Sequence, residues 1–534
     1  MKRFGVMMDM SRDAVMLPEQ VKNMARILKS FGYNMIQLYT EDTYEVEDEP
    51  YFGYMRGRYT AEEIRDVVAY CEGIGVEVIP CIQTLAHLNA IFRWSDYYPY
   101  NDAGVVLLVE EERTYRLIEN MFRTLRKNFK SEYVHIGMDE AYWLGRGRYL
   151  DKHGYENRFD ILHRHLKKVV ALAEKYGFKP IMWSDMFFSL ANNGQYYSEN
   201  PTVSEEAKKA VPDGVGLVYW DYEHTETRLY ENMMKAHREL AKDVWFAGGV
   251  WTWYGFAGDN GTSMKMMFPA MDAAKSCEIE NIFITAWGNN GKECSYFSML
   301  PALYAIRRRY DGVTDMDQIK REFHELTGED FDGMCALDLP NLVGGNDSCR
   351  GNVCKHMLYS DPFTGYLDST WKEGVTEEYK RHAQTLSGLA NGSAYGYIFE
   401  SHAALCELLA VKYDLGVKTR KAYLANDREA LKTLVADYAR AVELLDDFYL
   451  KFQRLWFREN KPHGFDVHDL RLGGLKQRLI SCRKRLTAYL NGEIAEIPEL
   501  KEKLLCWFGN GENFCTDTPK NINIWNEMAT VNII

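Results

Sequence analysis

The sequence predicts an α/β protein: a (β/α)8 TIM barrel over residues 1–335, followed by a mostly α-helical domain over residues 336–534. Three observations carry this. Eight short β-rich runs alternate with amphipathic helical stretches up to about residue 310. No glycine-rich phosphate loop follows an early run, and the rival fold, an open doubly wound sheet, would need one. Beyond about residue 335 the strand signal fades and helical periodicity takes over.

The runs, in order, are FGVMMDM (4–10), MIQLYT (35–40), VEVIPCIQT (76–84), YVHIGMDE (133–140), PIMWSDM (180–186), GVGLVYWDY (214–222), VWFAGGVWTW (244–253) and NIFITAW (281–287). The helices between them are punctuated. PEQVKNMARILKSFG has Pro18 near its start and Gly32 at its end. TAEEIRDVVAYCEGIG opens on Thr60 with Glu63 three residues on, a capping box. RFDILHRHLKKVVALAEKYG is a third helix. The stretch from run five to run six, NNGQYYSENPTVSEEAKKAVPDG, reads as a loop with a weak helix. Past the barrel, NLVGGNDSCRGNVC reads as an irregular loop. Four segments with helical periodicity then follow, beginning at TEEYKRHAQ, ESHAALCEL, DREALKTLV and DLRLGGLKQ.

Length and composition bound the function. At 534 residues the chain exceeds one ordinary domain. Net charge is −13 and the basic residues are scattered, which argues against a nucleic-acid partner. No apolar window approaches a membrane span, so no membrane association is expected. The start, MKRFGVMMDM, lacks the apolar run and cleavage site of a signal peptide. Eleven cysteines form no regular framework. The nearest pair, Cys349 and Cys354 in CRGNVC, has no second pair at zinc-like spacing. Reduced thiols and a cytoplasmic address are the expectation.

Barrel enzymes do their chemistry at the C-terminal ends of the strands. Those ends offer Asp9, Arg12 and Asp13; Tyr39, Glu41 and Asp42; His87; His135, Asp139 and Glu140; Trp183 and Asp185; Trp220, Asp221 and Tyr222; Trp251, Trp253 and Tyr254; Trp287 and Glu293. Carboxylates and tryptophans gather there. A pyranose presents an apolar C–H face to an indole ring, so tryptophan walls beside carboxylates point to a carbohydrate-active barrel. Blander readings compete at each position. A strand Trp is more often core than ligand wall. An adjacent Asp-Glu pair is usually a solvated loop edge. His135 could be a core histidine, Arg12 could pair with Asp9 or Asp13, and His87 could merely begin a helix. The apolar YVHIGM run shifts the balance, because it delivers Asp139 and Glu140 onto the barrel mouth. On an extended strand His135, Gly137 and Asp139 share one face.

HIGMDE, with Arg12 in DMSRDA after the first run and the later Trp183, Trp220 and Trp287, resembles glycoside hydrolase family 20, the β-N-acetylhexosaminidases. The resemblance covers roughly residues 1–310, the barrel runs. The family motif is His-x-Gly-Gly-Asp-Glu, and Met138 stands where its second glycine would be. The family's last acidic residue follows the eighth-strand Trp closely, whereas WGNNGKE delays it to Glu293. The family usually has an accessory domain ahead of the barrel. Here the barrel comes first and a helical domain follows, as in a compact intracellular branch.

The resemblance implies an exo-acting β-N-acetylhexosaminidase that releases terminal β-linked GlcNAc or GalNAc with retention, by substrate-assisted catalysis. It makes Asp139 and Glu140 the catalytic pair. Glu140 is the acid and then the base, and Asp139 orients the substrate's acetamido group. Substrate-binding roles go to Arg12 on the ring hydroxyls, to His87 and His135, to Trp183, Trp220, Trp253 and Trp287, and to Glu293. Either Tyr222 or Tyr254 holds the acetamido oxygen. No metal or organic cofactor is implied. The partners are N-acetylhexosamine-terminated oligosaccharides, and the helical domain allows a homodimer. Two other readings remain: a non-catalytic sugar-binding barrel, and a metal-dependent hydrolase using His87, His135, Asp139 and Glu140.

Overall fold

The computed structural model describes residues 2–191, 195–346 and 352–505. Cys349 and the end of the helical domain, 506–534, lie outside the described residues. Eight parallel strands close into a barrel in sequence order: β1 (Arg3–Asp9), β2 (Met35–Tyr39), β3 (Glu77–Cys81), β4 (Tyr133–His135), β5 (Lys179–Trp183), β6 (Gly216–Trp220), β7 (Val244–Gly249) and β8 (Asn281–Ala286). β1 pairs with β2 in the register Gly5↔Met35 and closes on β8 in the register Arg3↔Asn281. All eight expected runs are strands. Each is shorter at its C-terminal end than its apolar run, because the following residues leave the sheet for a loop or, after β5, for a helix from Asp185.

The strands are buried nearly end to end, as a parallel sheet covered by helices requires. The barrel interior is filled by Met7, Met35, Ile79, Cys81, Ile181, Val218, Trp245, Ala247 and Phe283, among others. The helix Pro18–Ser30 has proline in its first turn, and Gly32 follows its end at φ +91°. Thr60 and Glu63 form the expected capping box on the helix Ala61–Gly73. The weak segment between β5 and β6 holds two short helices, Asp185–Ala191 and Glu205–Ala210.

The chain forms two compact units. The first runs to Val250 and takes in Ser263–Trp287 and Ala302–Ile319. The second comprises Trp251–Thr262, Gly288–Pro301 and the chain from Lys320 onward. Its long helices include Val375–Ala390, Gly396–Lys412, Arg428–Glu459 and Phe465–Asn491. The third of these turns Leu431, Leu434, Tyr438, Ala441, Leu445, Phe448, Phe452 and Leu455 inward at helical spacing. None of the described helices is long and apolar enough to cross a membrane.

Candidate active site

The first four strands bring a connected polar network to the mouth of the barrel. Past β1, the Arg12 guanidinium donates from Nε to Asp9 Oδ2 at 3.2 Å, and its Nη1 lies 3.2 Å from Glu41 Oε1. Burial works against its charge, and Glu41 and Asp9 more than restore it. Glu41 is pushed above its ordinary range by burial, with Arg12 and His87 pulling the other way. At the end of β2, Tyr39 donates its hydroxyl to Glu41 Oε1 at 3.0 Å. Past β3, Gln83 Nε2 donates to the Tyr39 oxygen at 3.0 Å and to Asp139 Oδ1 at 2.8 Å. An unbroken line of polar contacts therefore joins Arg12 to Asp139.

β4 ends at His135, so the expected strand face shared by His135, Gly137 and Asp139 is not formed. The backbone instead turns left-handed at Gly137 (φ +70°), Met138 (φ +72°) and Glu140 (φ +51°). A Cβ at Gly137 would lie 2.1 Å from Gln83 Oε1, so that position requires glycine. Gln83 Oε1 in turn accepts the Met138 N–H at 3.2 Å. Met138 holds a conformation that its side chain disfavours, and its complete burial holds it there. These turns replace the strand's alternation, and both adjacent carboxylates come to face one imidazole.

That imidazole is His87, itself left-handed at φ +57°. Its Nε2 lies 3.2 Å from Asp139 Oδ2 and 3.7 Å from Glu140 Oε2, close ion-pair contacts that lack hydrogen-bond alignment. Burial lowers the pKa of His87, but the Asp139 charge outweighs it and raises the value to about 9. The ring is thus an imidazolium at neutral pH. For Asp139, burial favours the neutral acid, and the His87 charge with the contacts from His87 and Gln83 overcomes it. Asp139 ends below its ordinary range. Glu140 moves the opposite way: burial and the neighbouring Asp139 charge raise it. Two adjacent carboxylates are thereby shifted in opposite directions.

Asp185, at the end of β5, accepts the Glu140 backbone N–H at Oδ2, 3.2 Å away. Its Oδ1 is buried with no hydrogen-bond partner. Burial, then the Asp139 charge, raises it to about 8, so this carboxyl is mainly protonated at neutral pH. Asp9, Tyr39, Glu41, Gln83 and Asp185 are the polar groups of this network that the sequence did not place among the site residues. Asp185 was visible as a strand-end acid. Nothing in local sequence marks Gln83.

The other expected residues divide. His135 is fully buried, accepts the Gly137 N–H at Nδ1 (3.1 Å) and packs on Trp183 with ring centroids 4.4 Å apart. Burial lowers its pKa to about 3, so it is a neutral core residue. It offers no surface to a sugar and acts on the site through the turn it supports. Trp183 is also core, at 1% exposure. Trp220 and Trp287 are only partly buried, and Tyr222 stacks on Trp220 at 5.5 Å. Burial and the Glu140 charge raise the Tyr222 phenol, which places it in the field of the acidic pair. Trp253 and Tyr254 belong to the second unit, where both are buried and pack against Trp251 at 4.4 and 4.9 Å. Glu293, expected to reach sugar hydroxyls, is buried in the second unit, and Lys355 Nζ donates to its Oε1 at 2.6 Å. Burial would raise Glu293, but the Lys355 charge leads a group that lowers it. A carboxylate closed by a buried ammonium has little left to offer a hydroxyl.

A barrel whose mouth holds a differentiated carboxylate pair beside a cation and partly open indoles defines a glycoside hydrolase type of site. Comparison with known proteins gives the family. Residues 34–225 match the catalytic domain model of glycosyl hydrolase family 20, and residues 329–516 match the glycoside hydrolase 20C C-terminal domain model. The chain belongs to glycoside hydrolase family 20. It is similar to hexosaminidase D of Homo sapiens, 24% identical over 206 residues that cover 37% of this chain and 40% of that protein. It is also similar to beta-hexosaminidase 1 of Arabidopsis thaliana, 20% identical over 302 residues that cover 51% of this chain and 54% of that protein. The chain thus spans about half or less of the length of these relatives. Among solved structures, the GH20 exo-β-N-acetylglucosaminidase of Vibrio harveyi aligns with a TM-score of 0.48 at 17% identity, covering 62% of this chain and 58% of that one.

Proposed function

We propose that this chain is an exo-β-N-acetylhexosaminidase, releasing terminal non-reducing β-linked GlcNAc or GalNAc with retention. The observation that carries the reading is the split of the adjacent pair, Asp139 lowered and Glu140 raised around one imidazolium. In the first step Glu140 gives its proton to the glycosidic oxygen as the C1–O bond breaks. The substrate's acetamido oxygen forms the new bond to C1, giving an oxazolinium. Asp139, ionised and held by Gln83, accepts the acetamide N–H and stabilises the positive charge that develops there. In the second step Glu140 takes a proton from water, whose oxygen attacks C1 and reopens the ring. Two inversions at C1 give retention. Arg12, a quarter exposed, keeps donors available for ring hydroxyls. Trp220, Tyr222 and Trp287 are the proposed walls, and Tyr222 the proposed partner of the acetamido oxygen.

One observation favours a second reading. Ligand atoms of His87, Asp139 and Glu140 all lie within 4.8 Å of one another, a spacing that could hold a metal ion. Hydrolysis of 4-nitrophenyl β-N-acetylglucosaminide beside the plain β-glucoside, with and without EDTA, separates the two. Cleavage of the acetamido sugar alone, indifferent to chelator, is expected. Loss of activity in EDTA would favour the metal reading, and cleavage of neither sugar the binding-protein reading.

A reducing, cytoplasmic compartment is supported by the eight described cysteines, all free and seven of them buried. A homodimer through the helical unit is supported by exposed Leu450, Phe457 and Leu470 on its two longest helices. Light scattering after chromatography tests it, and a monomer at micromolar concentration would refute it.

A further inference from the structure

β5 stops before its neighbour β6 is fully paired. The Ser184 N–H donates to the Val218 carbonyl at 3.1 Å and continues the β5–β6 ladder. In a parallel ladder the next bond would run from the Trp220 N–H to the Ser184 carbonyl. The helix that begins at Asp185 takes that carbonyl instead, through the Phe187 N–H at 3.1 Å. The Trp220 N–H is left to a side chain, and it donates to the Tyr196 hydroxyl oxygen at 3.1 Å. The Tyr196 and Trp220 rings lie 4.8 Å apart, and Tyr197 donates its hydroxyl to the Trp220 carbonyl at 3.4 Å.

From Tyr196 the hydrogen bonds run inward in one direction only. Ser184 Oγ lies 2.9 Å from the Tyr196 oxygen and 2.7 Å from His237 Nε2. His237 Nδ1 lies 2.7 Å from the Met233 carbonyl, which can only accept, so Nδ1 carries the ring proton. Burial keeps the ring neutral, with its pKa lowered to about 3. Nε2 is then a bare acceptor, and the Ser184 hydroxyl must donate to it. The serine has no second proton, so Tyr196 donates to Ser184 and Trp220 donates to Tyr196. Phe188 and Tyr219 flank the imidazole at 4.3 and 4.8 Å. A serine bonded to a histidine is elsewhere an activated nucleophile. Here Ser184 and His237 are both fully buried, so no substrate reaches them and the pair serves to position.

We propose that Tyr196 is a positioning residue for Trp220, holding this wall of the proposed sugar site through a one-way hydrogen-bond chain that ends on His237. The inference rests on the glycosidase reading and adds to it three residues that touch neither the sugar nor the acidic pair. Without the tyrosine oxygen the Trp220 N–H is an unsatisfied donor at the very end of β6, and the indole loses its fixed place. A wall holds the sugar equally before and during bond cleavage, so loosening it shows in binding and not in the chemical step.

The test compares wild type with Tyr196→Phe, Ser184→Ala and the double variant, using the disaccharide N,N′-diacetylchitobiose as substrate and free GlcNAc as competitive inhibitor. Tyr196→Phe keeps the ring and removes only the oxygen. KM and the GlcNAc inhibition constant are expected to rise about fivefold, with kcat within about twofold. Ser184→Ala takes away the acceptor of Tyr196 and should shift both constants the same way. The double variant should be no worse than Tyr196→Phe alone, because the chain acts as a unit. Neither constant depends on how much of the sample is folded, so a merely structural role would lower the melting temperature and leave both unmoved. Unchanged KM and GlcNAc inhibition in either single variant, or losses that add in the double, would overturn the positioning role. A wild-type protein that cleaves no β-N-acetylhexosaminide would overturn the glycosidase reading itself, and no variant is needed to see that result.

Discussion

Two carboxylate–cation pairs in this molecule look alike in sequence and differ in use. At the barrel mouth Arg12 is shared by Asp9 and Glu41, and its side chain keeps 25% exposure. In the second unit Glu293 and Lys355 close on each other with side-chain exposures of 1% and 2%. The first arrangement leaves the guanidinium partly exposed, and the second leaves both charged groups covered. An exposed cation in a network can recognise a ligand. A fully covered pair instead holds two segments together, at a desolvation cost that only its own geometry offsets. Charge type in a motif therefore does not identify a binding residue; the remaining hydrogen-bonding capacity does.

This contrast can be broken most sharply at the proposed catalytic end. Asp139→Asn removes the negative charge proposed to face the acetamide, and a loss of about 10²–10³ in kcat is expected on every acetamido substrate. Near-normal turnover would end the substrate-assisted reading. Glu140→Gln is expected to cost about 10²-fold or more on the disaccharide and far less on 4-nitrophenyl glycosides, whose leaving group needs little protonation. Equal losses on both would remove Glu140 from the acid role.

The closed pair should answer with stability instead. Glu293→Gln leaves Lys355 buried without a counter-charge, an expected loss of about 3–5 kcal/mol on denaturant unfolding. The double change Glu293→Gln with Lys355→Met should recover much of it. If activity per folded molecule fell tenfold while stability held, Glu293 would belong to the sugar after all.

Smaller effects sharpen the electrostatics. His87 is charged up to about pH 9, and its charge holds Asp139 down. In His87→Gln both carboxylates lose that positive neighbour, so both pKa values rise. With the proposed roles, in which ionisation of Asp139 sets the acid limb of the kcat/KM profile and deprotonation of Glu140 the alkaline limb, both limbs should move to higher pH. A profile that moves down or not at all would disconnect His87 from the pair. Stability should also weaken in acid. His135 and His237 are held neutral at about 3 and His165 at about 4, below the ordinary histidine value. The unfolded chain takes up those protons first, so stability is expected to fall as pH drops below about 6.5 and to level off near the folded values. Urea midpoints at pH 7 and pH 5 would measure it.

Much of this was legible in the chain itself. The eight apolar runs, the punctuation at Pro18, Thr60 and Gly32, and the inward heptad-like spacing of Leu431 through Leu455 are local patterns, and local backbone and burial preferences suffice to turn them into strands and helices. HIGMDE with Arg12 was enough to bring the family into view. The strand-end rule also placed Arg12, His87, Asp139 and Glu140 on one barrel mouth, because strand direction alone decides which end a loop occupies.

Tertiary structure decided the rest. Whether His135 met a sugar or the core depended on where β4 stopped, and three left-handed residues beyond it overrode the alternation that a continuous strand would impose. Gln83 became the link from Tyr39 to Asp139 because barrel closure sets β2, β3 and β4 side by side, residues 44 and 56 positions apart in the chain. Glu293 met Lys355, 62 residues on, with Arg471 3.8 Å from the same oxygen, and was buried there. Periodicity and capping act over a few residues, so one sequence window contains them. Protonation state, exposure and unused hydrogen-bonding capacity depend on whatever folding brings within a few ångströms, and no window contains that.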